Sequence, residues 1–291
     1  MSFLSSRPTD SLTIRPVTMD DYITVEDFVY RSSYSHRHLD WRNPQDWVGD
    51  QPFYIAETDL NSQAVLACPS DIPGLSWLRF FSCYDYQWLF TTWKPLLASA
   101  VTDLAHQNIT QLYSIAFQDW YHALLTNSGF RLKQRIIVLE WKPNGKPLQE
   151  AESGDVTIRP MQMKDLNTVA QVDRNSFAAP WMNTFDTLTL AFRQSAYSSV
   201  VEQNGEIIGY TISTGYPQSA HLARIAVVPD CQHKGIGQLL LHDMMKEFLR
   251  RGVANITVNT QDDNHNSLKL YRRSGFLATG EDYPVFCLDT P

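Results

Sequence analysis

Gln232-His233-Lys234-Gly235-Ile236-Gly237, entered through Ile225-Ala226-Val227-Val228-Pro229, is the stretch that decides the fold. An apolar, β-branched run of strand character stops at a proline, and a short polar loop follows. Two glycines then open a helix over Gln238–Arg251 with an apolar face in Leu239, Leu240, Met244, Phe248 and Leu249. The first N–H groups of a helix have no intrahelical acceptor, and the helix dipole adds positive potential at the same point. A strand that feeds a glycine-rich loop at a helix start is therefore a site for an anion. Gly235 and Gly237 let the backbone approach a bulky diphosphate with no Cβ in the way.

Downstream, a second strand spans Asn255–Thr260, followed by a polar loop, Gln261–Asn266, and a short helix, Ser267–Arg273. Ser274-Gly275-Phe276 closes that helix, with Gly275 as its C′ residue. The order strand, Q-x-x-G-x-G, helix, strand, N-x-x-S-x-x-L-Y-x-x-x-G-F resembles the GNAT superfamily of N-acetyltransferases, from Val156 to the C-terminus. The resemblance implies an acetyl-CoA co-substrate and an amine acceptor, a small molecule or a peptide terminus. It implies that backbone amides across Gln232, His233, Lys234, Gly235, Ile236, Gly237 and Gln238 hold the pyrophosphate. It also implies that the strand through Ala226, Val227 and Val228 pairs with the pantetheine arm, the Val227 amide polarising the thioester carbonyl. An ordinary buried strand is the alternative for that run, and the two are compatible.

Tyr271 matches the family tyrosine that protonates the departing thiolate. A phenol of reference pKa about 10 can do so; the alternative is a tyrosine that packs beside Leu268 and Leu270. Asn264 matches the family asparagine near pantetheine, or else caps the helix before Ser267. The general base is where the pattern breaks. Many relatives carry a glutamate where this chain has Asn259, which cannot accept a proton at neutral pH. His221, Asp262, Asp263 or a water chain remain. Ala179-Pro180-Trp181 resembles the Phe-Pro-Trp stretch of the ribosomal-protein alanine acetyltransferase branch, with Ala179 in place of phenylalanine. Two rivals stand beside the enzyme: an acyl-CoA-binding pseudoenzyme or sensor, and a tandem enzyme acting on a small amino-sugar precursor like the mycothiol-forming relatives.

A chain of 291 residues is about two domains long. The halves repeat: Thr13-Ile14-Arg15-Pro16 recurs at Thr157-Ile158-Arg159-Pro160, Asn108-Ile109-Thr110 at Asn255-Ile256-Thr257, and Ser128-Gly129-Phe130 at Ser274-Gly275-Phe276. Three matches in one order at nearly constant spacing point to two copies of one fold. The expected architecture is α/β (α+β): two GNAT-like domains, each a mixed, mostly antiparallel twisted sheet flanked by helices. Residues 1–142 form a degenerate copy, 143–155 a linker rich in Pro, Gly and charge, and 156–291 the catalytic copy. In the first copy, strands are expected near Leu12–Val17, Phe53–Glu57, Ala64–Cys68, Leu75–Ser82, Gln111–Phe117 and Leu132–Trp141. Helices are expected over Asp20–Ser32, Pro95–His106 and Asp119–Asn127. The second copy is expected to add helices over Met163–Phe177 and Thr184–Arg193, and a hairpin at Asn204-Gly205. No glycine falls between Ser76 and Ser128, and Leu125 stands where Tyr271 would be, so the first copy lacks the machinery.

A formal charge of −7 supplies no basic stripe for nucleic acid. Cys68, Cys83, Cys231 and Cys287 form no C-x-x-C pair, so neither a disulfide framework nor a metal site is expected. Met1–Arg7 has no apolar core of leader length, and nothing later approaches a membrane span; the expected location is cytoplasmic. The tryptophans other than Trp181 all lie in the first copy, where Asp40-Trp41-Arg42 and Asp46-Trp47 either line an acceptor cleft or form core.

Overall fold

The computed structural model describes residues 11–143 and 155–291; the first ten residues and most of the expected linker lie outside the described residues. The repeated Thr-Ile-Arg-Pro segments each place an arginine on a strand, six residues before an aspartate that caps the first helix. Arg15 bonds both Asp21 oxygens at 2.8 Å and Glu57 at 2.8 Å. Arg159 bonds Asp165 at 2.7 and 3.0 Å and Glu202 at 2.6 Å. Each aspartate also accepts the backbone N–H of the residue three before it, Thr18 or Gln162, at 2.8 Å. One ion triad, built twice, ties the first strand, the helix start and the strand paired with the first one together in each copy.

The first copy runs β1 (Thr13–Pro16), α1 (Tyr22–Arg31), β2 (Tyr34–Arg37), β3 (Phe53–Glu57), β4 (Ser62–Ala67), β5 (Leu75–Trp77), β6 (Phe80–Cys83), α2 (Tyr86–His106), β7 (Gln111–Ile115), α3 (Asp119–Asn127) and β8 (Arg131–Trp141). The second runs β9 (Val156–Pro160), α4 (Leu166–Ser176), α5 (Phe185–Gln194), β10 (Tyr197–Gln203), β11 (Glu206–Gly215), β12 (Ser219–Val227), α6 (Ile236–Arg250), β13 (Asn255–Gln261), α7 (His265–Arg273) and β14 (Leu277–Asp289). Most pairings are antiparallel, while β5 with β7 and β12 with β13 are parallel, as in a mixed, mostly antiparallel sheet. The β10–β11 hairpin turns through Asn204 and Gly205 at φ +53° and +82°, the left-handed pair such a tight turn needs.

Two departures from sequence order matter. The chain divides into one compact unit of Met1–Lys133 with Val285–Pro291 and another of Gln134–Pro284. Sequence order instead set the boundaries at 142 and 156. The strand expected to close the first copy, β8, pairs through Ile136–Trp141 with β13, and Leu139 and Trp141 belong to the core around Met244 and Phe248. The C-terminal residues of β14, Val285–Asp289, pair with β7, and Phe286 belongs to the core around Trp93 and Leu97. Hydrophobic alternation fixes which face of a strand is buried, but not which neighbour it pairs with.

The other departure is β2, a strand absent from the sequence expectation. β6 pairs with β4 as the end of β12 pairs with β11, so β6 is the first copy's counterpart of Arg224–Val227. Tyr34–Arg37 lies antiparallel along the far edge of β6, from Tyr34↔Cys83 to Arg37↔Phe80. His36 locks it there, stacked on Tyr121 at 4.0 Å with Nε2 3.3 Å from the Leu78 carbonyl. The matching edge of β12 carries no such strand among the described residues. After β6, α2 begins almost at once, with Asp85 as N-cap and no glycine loop. This helix starts at Tyr86, not near Pro95, and carries Pro95 in its interior. The burial of Leu89, Trp93, Leu96, Leu97, Ala100 and Leu104 along one face offsets the lost hydrogen bond.

Candidate active site

In the second unit, α6 is preceded by a loop that turns through His233 at φ +62° and Gly235 at φ +82°. The helix receives no side-chain cap, and its first backbone bond is Leu239 N to Gly235 O at 3.0 Å. The amides of Ile236, Gly237 and Gln238 are therefore left without intrahelical acceptors. A Cβ at Gly235 would meet nothing within 4 Å, so the space outside the turn is open. Ile236 anchors the loop from inside, packed with Val201, Ile208, Val227 and Leu240. Gln232 folds back to donate Nε2 to the Val227 carbonyl at 2.9 Å, and the exposed Lys234 donates to the Asp230 carbonyl at 2.9 Å. Uncapped amides around an open glycine turn are a cradle that fits a diphosphate.

β12 and β13 run side by side only from Ser219↔Asn255 to Leu222↔Val258. Beyond that rung both strands continue, to Val227 and Gln261, without pairing with each other. β11 keeps its hold on the other edge of β12 as far as Val227, with a bulge at Ala223. Val228 N donates to the Ile208 carbonyl on the β11 side at 2.9 Å. Amides alternate along a strand, so the Val227 N–H points the other way, into the opening. At about 3.3 Å per residue, the free edge from Leu222 to Val228 is about 20 Å long.

Tyr271 stands on α7 in the core with Leu268 and Phe276, almost wholly buried. Burial pushes its phenol above the usual value, while the Ser267 hydroxyl and the Arg224 charge pull the other way. Its counterpart in the first copy is Leu125. The Phe276 amide bonds the Tyr271 carbonyl at 3.0 Å, as the Phe130 amide bonds that of Leu125 at 3.1 Å. Asn264 caps α7, its side chain accepting the Ser267 amide at 3.2 Å and donating to Gln261 at 3.4 Å. Asp262 and Asp263 are exposed past the end of β13, and Asp262 accepts the Arg135 amide at 3.1 Å. Trp47 is core, with the Arg42 and Arg79 guanidinium groups 4.2 and 4.9 Å from its ring.

A buried cluster around Asp173 went unread in the sequence. Its carboxylate accepts from Tyr210 at 2.5 Å, Arg224 Nε at 2.8 Å and the Asn183 amide at 2.7 Å. Arg224 also donates to the Trp181 carbonyl at 2.6 Å and lies 3.4 Å from the centre of the Phe177 ring. The signals were an acid on the apolar face of Val169, Ala170 and Val172, and one arginine inside the run Leu222–Val228. No group of His, Cys, Asp and Glu suited to a metal occurs among the described residues, and none of their helices is long and apolar enough to cross a membrane.

The strand pair opens beside an uncapped helix start, with a buried phenol beyond, and residues 166–276, which hold these elements, match the model of the acetyltransferase (GNAT) family. The chain belongs to that family. Over 122 residues it is 30% identical to the [ribosomal protein bS18]-alanine N-acetyltransferase of Escherichia coli K12, covering 41% of this chain and 80% of that enzyme. A tandem GNAT protein from the clavulanic acid biosynthesis pathway matches along 97% of this chain and 99% of its own, at 13% identity and a TM-score of 0.65. A GCN5-related N-acetyltransferase from Sphaerobacter thermophilus matches along 96% of both chains, at 15% identity and 0.63. The fold is that of tandem GNAT proteins.

Proposed function

We propose that the second unit transfers an acetyl group from acetyl-CoA directly to a primary amine, of a small molecule or a peptide terminus. The separation of β12 from β13 beyond Leu222 and Val258, with the uncapped start of α6 at its open end, carries this proposal. When bound, acetyl-CoA supplies an acyl group already activated as a thioester. The amides of His233 to Gln238 bind the diphosphate, and Ala226 to Val228 pair with the extended arm. The Val227 N–H stabilises negative charge that develops on the carbonyl oxygen as the amine attacks. The N–C bond forms and the C–S bond breaks, and Tyr271 gives its phenolic proton to the departing thiolate before recovering one from solvent. A phenol is protonated at neutral pH, as an acid must be, and burial holds this one further to that side. Asn264, two turns ahead on the same helix, fixes the helix start beside the arm.

The bS18 relative is an alanine N-acetyltransferase of a ribosomal protein, which makes a peptide that begins with alanine the first acceptor to test. Asn259 and Ala179 depart from that branch, so a different amine is admitted. Asn259, where many relatives hold a glutamate, also favours the second possibility, an acyl-CoA-binding protein without turnover. The deciding experiment follows free thiol release from acetyl-CoA with an N-terminal-alanine peptide and a series of primary alkylamines. Turnover by the wild-type chain that is lost in Gly237→Trp supports the enzyme. Tight binding with no turnover across the series overturns it in favour of the sensor.

A further inference from the structure

We propose that Arg224 selects the acceptor: its free guanidinium arm donates to a carbonyl oxygen beside the reacting amine, so the acceptor is an α-aminoacyl group such as a peptide N-terminus. The inference rests on the acetyl-transfer reaction above. A guanidinium carries five N–H donors, one on Nε and two on each Nη. Three are spent. Nε donates to Asp173 at 2.8 Å, and Nη2 donates to Asp173 at 2.7 Å and to the Trp181 carbonyl at 2.6 Å. Nη1 makes no hydrogen bond among the described residues and is not enclosed, so its two N–H groups belong to the 15% of the side chain left exposed.

Helix α4 sets where that arm stands. Asp173 and Ser176 are three residues apart on one side of the helix, about 4.5 Å along its axis. Asp173 holds the Arg224 guanidinium, and Ser176 Oγ donates to the Val227 carbonyl at 3.2 Å. The Arg224 backbone lies about 10 Å behind Val227 along β12. Its side chain is drawn forward to the turn of α4 that touches Val227 itself. The Phe177 ring, next along from Ser176, covers one face of the guanidinium at 3.4 Å and fixes its plane. The charge is also felt at the Tyr271 phenol, where it works against the larger effect of burial. The free arm is held beside the reacting centre.

In an α-aminoacyl group the nitrogen and the carbonyl oxygen lie about 3 Å apart, across three bonds. With the amine at the thioester carbon beside the Val227 N–H, that oxygen meets Nη1. A plain alkylamine has no atom to place there and leaves the arm without a partner. A neutral carbonyl suits it better than the carboxylate of a free amino acid. Asp173 already balances the arginine charge, so a second carboxylate meets a neutral pair. The same class suits a centre poor in bases. Asn259 offers none, and His221 lies six residues back along β12, its Nδ1 2.9 Å from Thr257 Oγ1. An α-amine, of reference pKa about 8, gives up its proton far more readily than an alkylamine of about 10.4.

Thiol release from acetyl-CoA by the full chain tests this with alaninamide, alanine and isopropylamine, which carry an amide, a carboxylate or a methyl on the same carbon. Rates are compared per unprotonated amine, which removes the difference in amine pKa. In wild type, kcat/KM for alaninamide should exceed that for isopropylamine by about 10- to 100-fold, the worth of a hydrogen bond to a charged donor. Alanine should fall below alaninamide. Arg224→Lys keeps a cation against Asp173 but has one nitrogen in place of three, and Arg224→Met has none. In both, the alaninamide-to-isopropylamine ratio should drop to about threefold or less. Partial unfolding lowers both rates alike, so a purely structural role leaves that ratio unmoved. A wild-type ratio within about twofold of unity overturns the proposal, as does a ratio that survives in either variant. Alanine preferred to alaninamide overturns the neutral carbonyl in favour of a free amino acid. Turnover without selection sinks the role of Arg224 alone. A wild-type chain that releases no thiol with any amine, N-terminal-alanine peptide included, sinks the transfer reaction and this inference with it.

Discussion

Arg224 Nε donates to the Asp173 carboxylate at 2.8 Å, joining β12 to α4 inside the second unit. The pair holds more than itself: Asp173 also binds the Asn183 amide, and Arg224 the Trp181 carbonyl and the Phe177 ring. Both ends of the Phe177–Thr184 loop are thereby tied to one strand. Asp173 is fully buried, and removing one partner of a buried pair leaves the other uncompensated, at a cost of about 3–5 kcal/mol. Arg224→Met should lower the unfolding free energy obtained from urea titration by that amount and raise KM for the amine more than for acetyl-CoA. A loss under about 1 kcal/mol means the loop is held by something else.

Tyr271→Phe removes one hydroxyl from a side chain that otherwise packs with Leu268 and Phe276. If the phenol is the acid, kcat should fall at least tenfold while acetyl-CoA affinity by calorimetry stays put. Undiminished turnover would leave Tyr271 with the packing role its burial already shows.

The first copy should bind no CoA. β2 occupies the edge of β6 that matches the free edge of β12, and α2 starts without a glycine loop. Titration calorimetry of the intact chain should therefore give one acetyl-CoA per chain, and none in Gly237→Trp. A stoichiometry of two would require Tyr34–Arg37 to leave its strand.

What could be read beforehand divides along physical lines. The Thr-Ile-Arg-Pro repeat was legible because Arg15 and Arg159 each need an aspartate six residues on, and sequence keeps that spacing. Gly235 was legible because a positive φ at a helix start leaves few residue choices. β2 was not: Tyr34-Ser35-His36-Arg37 has no apolar run, and its place comes from Phe80–Cys83, far along the chain. Pro95 hid the first half of α2. Asn264 fitted a ligand contact and a helix cap equally well, and the cap is seen. The Arg224–Asp173 pair joins residues whose separate signals, one charge in each apolar pattern, gain meaning only once α4 meets β12.

Acid should act first on the repeated triads. The Arg15 guanidinium, with the Thr18 amide and hydroxyl, lowers the Asp21 carboxyl to about 2, and Arg159 lowers that of Asp165. A depressed folded pKa gives stability that is complete above the unfolded value of about 3.9 and is lost as pH falls toward the folded one. Thermal melts from pH 6 to pH 2.5 should show wild type losing stability below about pH 4. Asp21→Asn should start lower and lose less over the same range. Parallel curves would mean Asp21 titrates alike in both states.

Deleting residues 285–291 separates two views of the chain. If the halves were self-contained, the loss would fall on the second copy. Val285–Asp289 instead pair with Gln111–Ile115, and Val285, Phe286 and Cys287 are almost wholly buried in the first unit. Full burial of each side chain of this size is worth about 1.5–3 kcal/mol, and whole domains are stable by only about 5–15 kcal/mol. The truncated chain should lose amide protection first at Leu112–Ile115 on β7, while Val258 and Thr260 on β13, paired with β8, keep theirs. Hydrogen exchange read by mass spectrometry resolves the two segments. Early exchange at β13 with β7 intact would assign the C-terminal strand to the second unit.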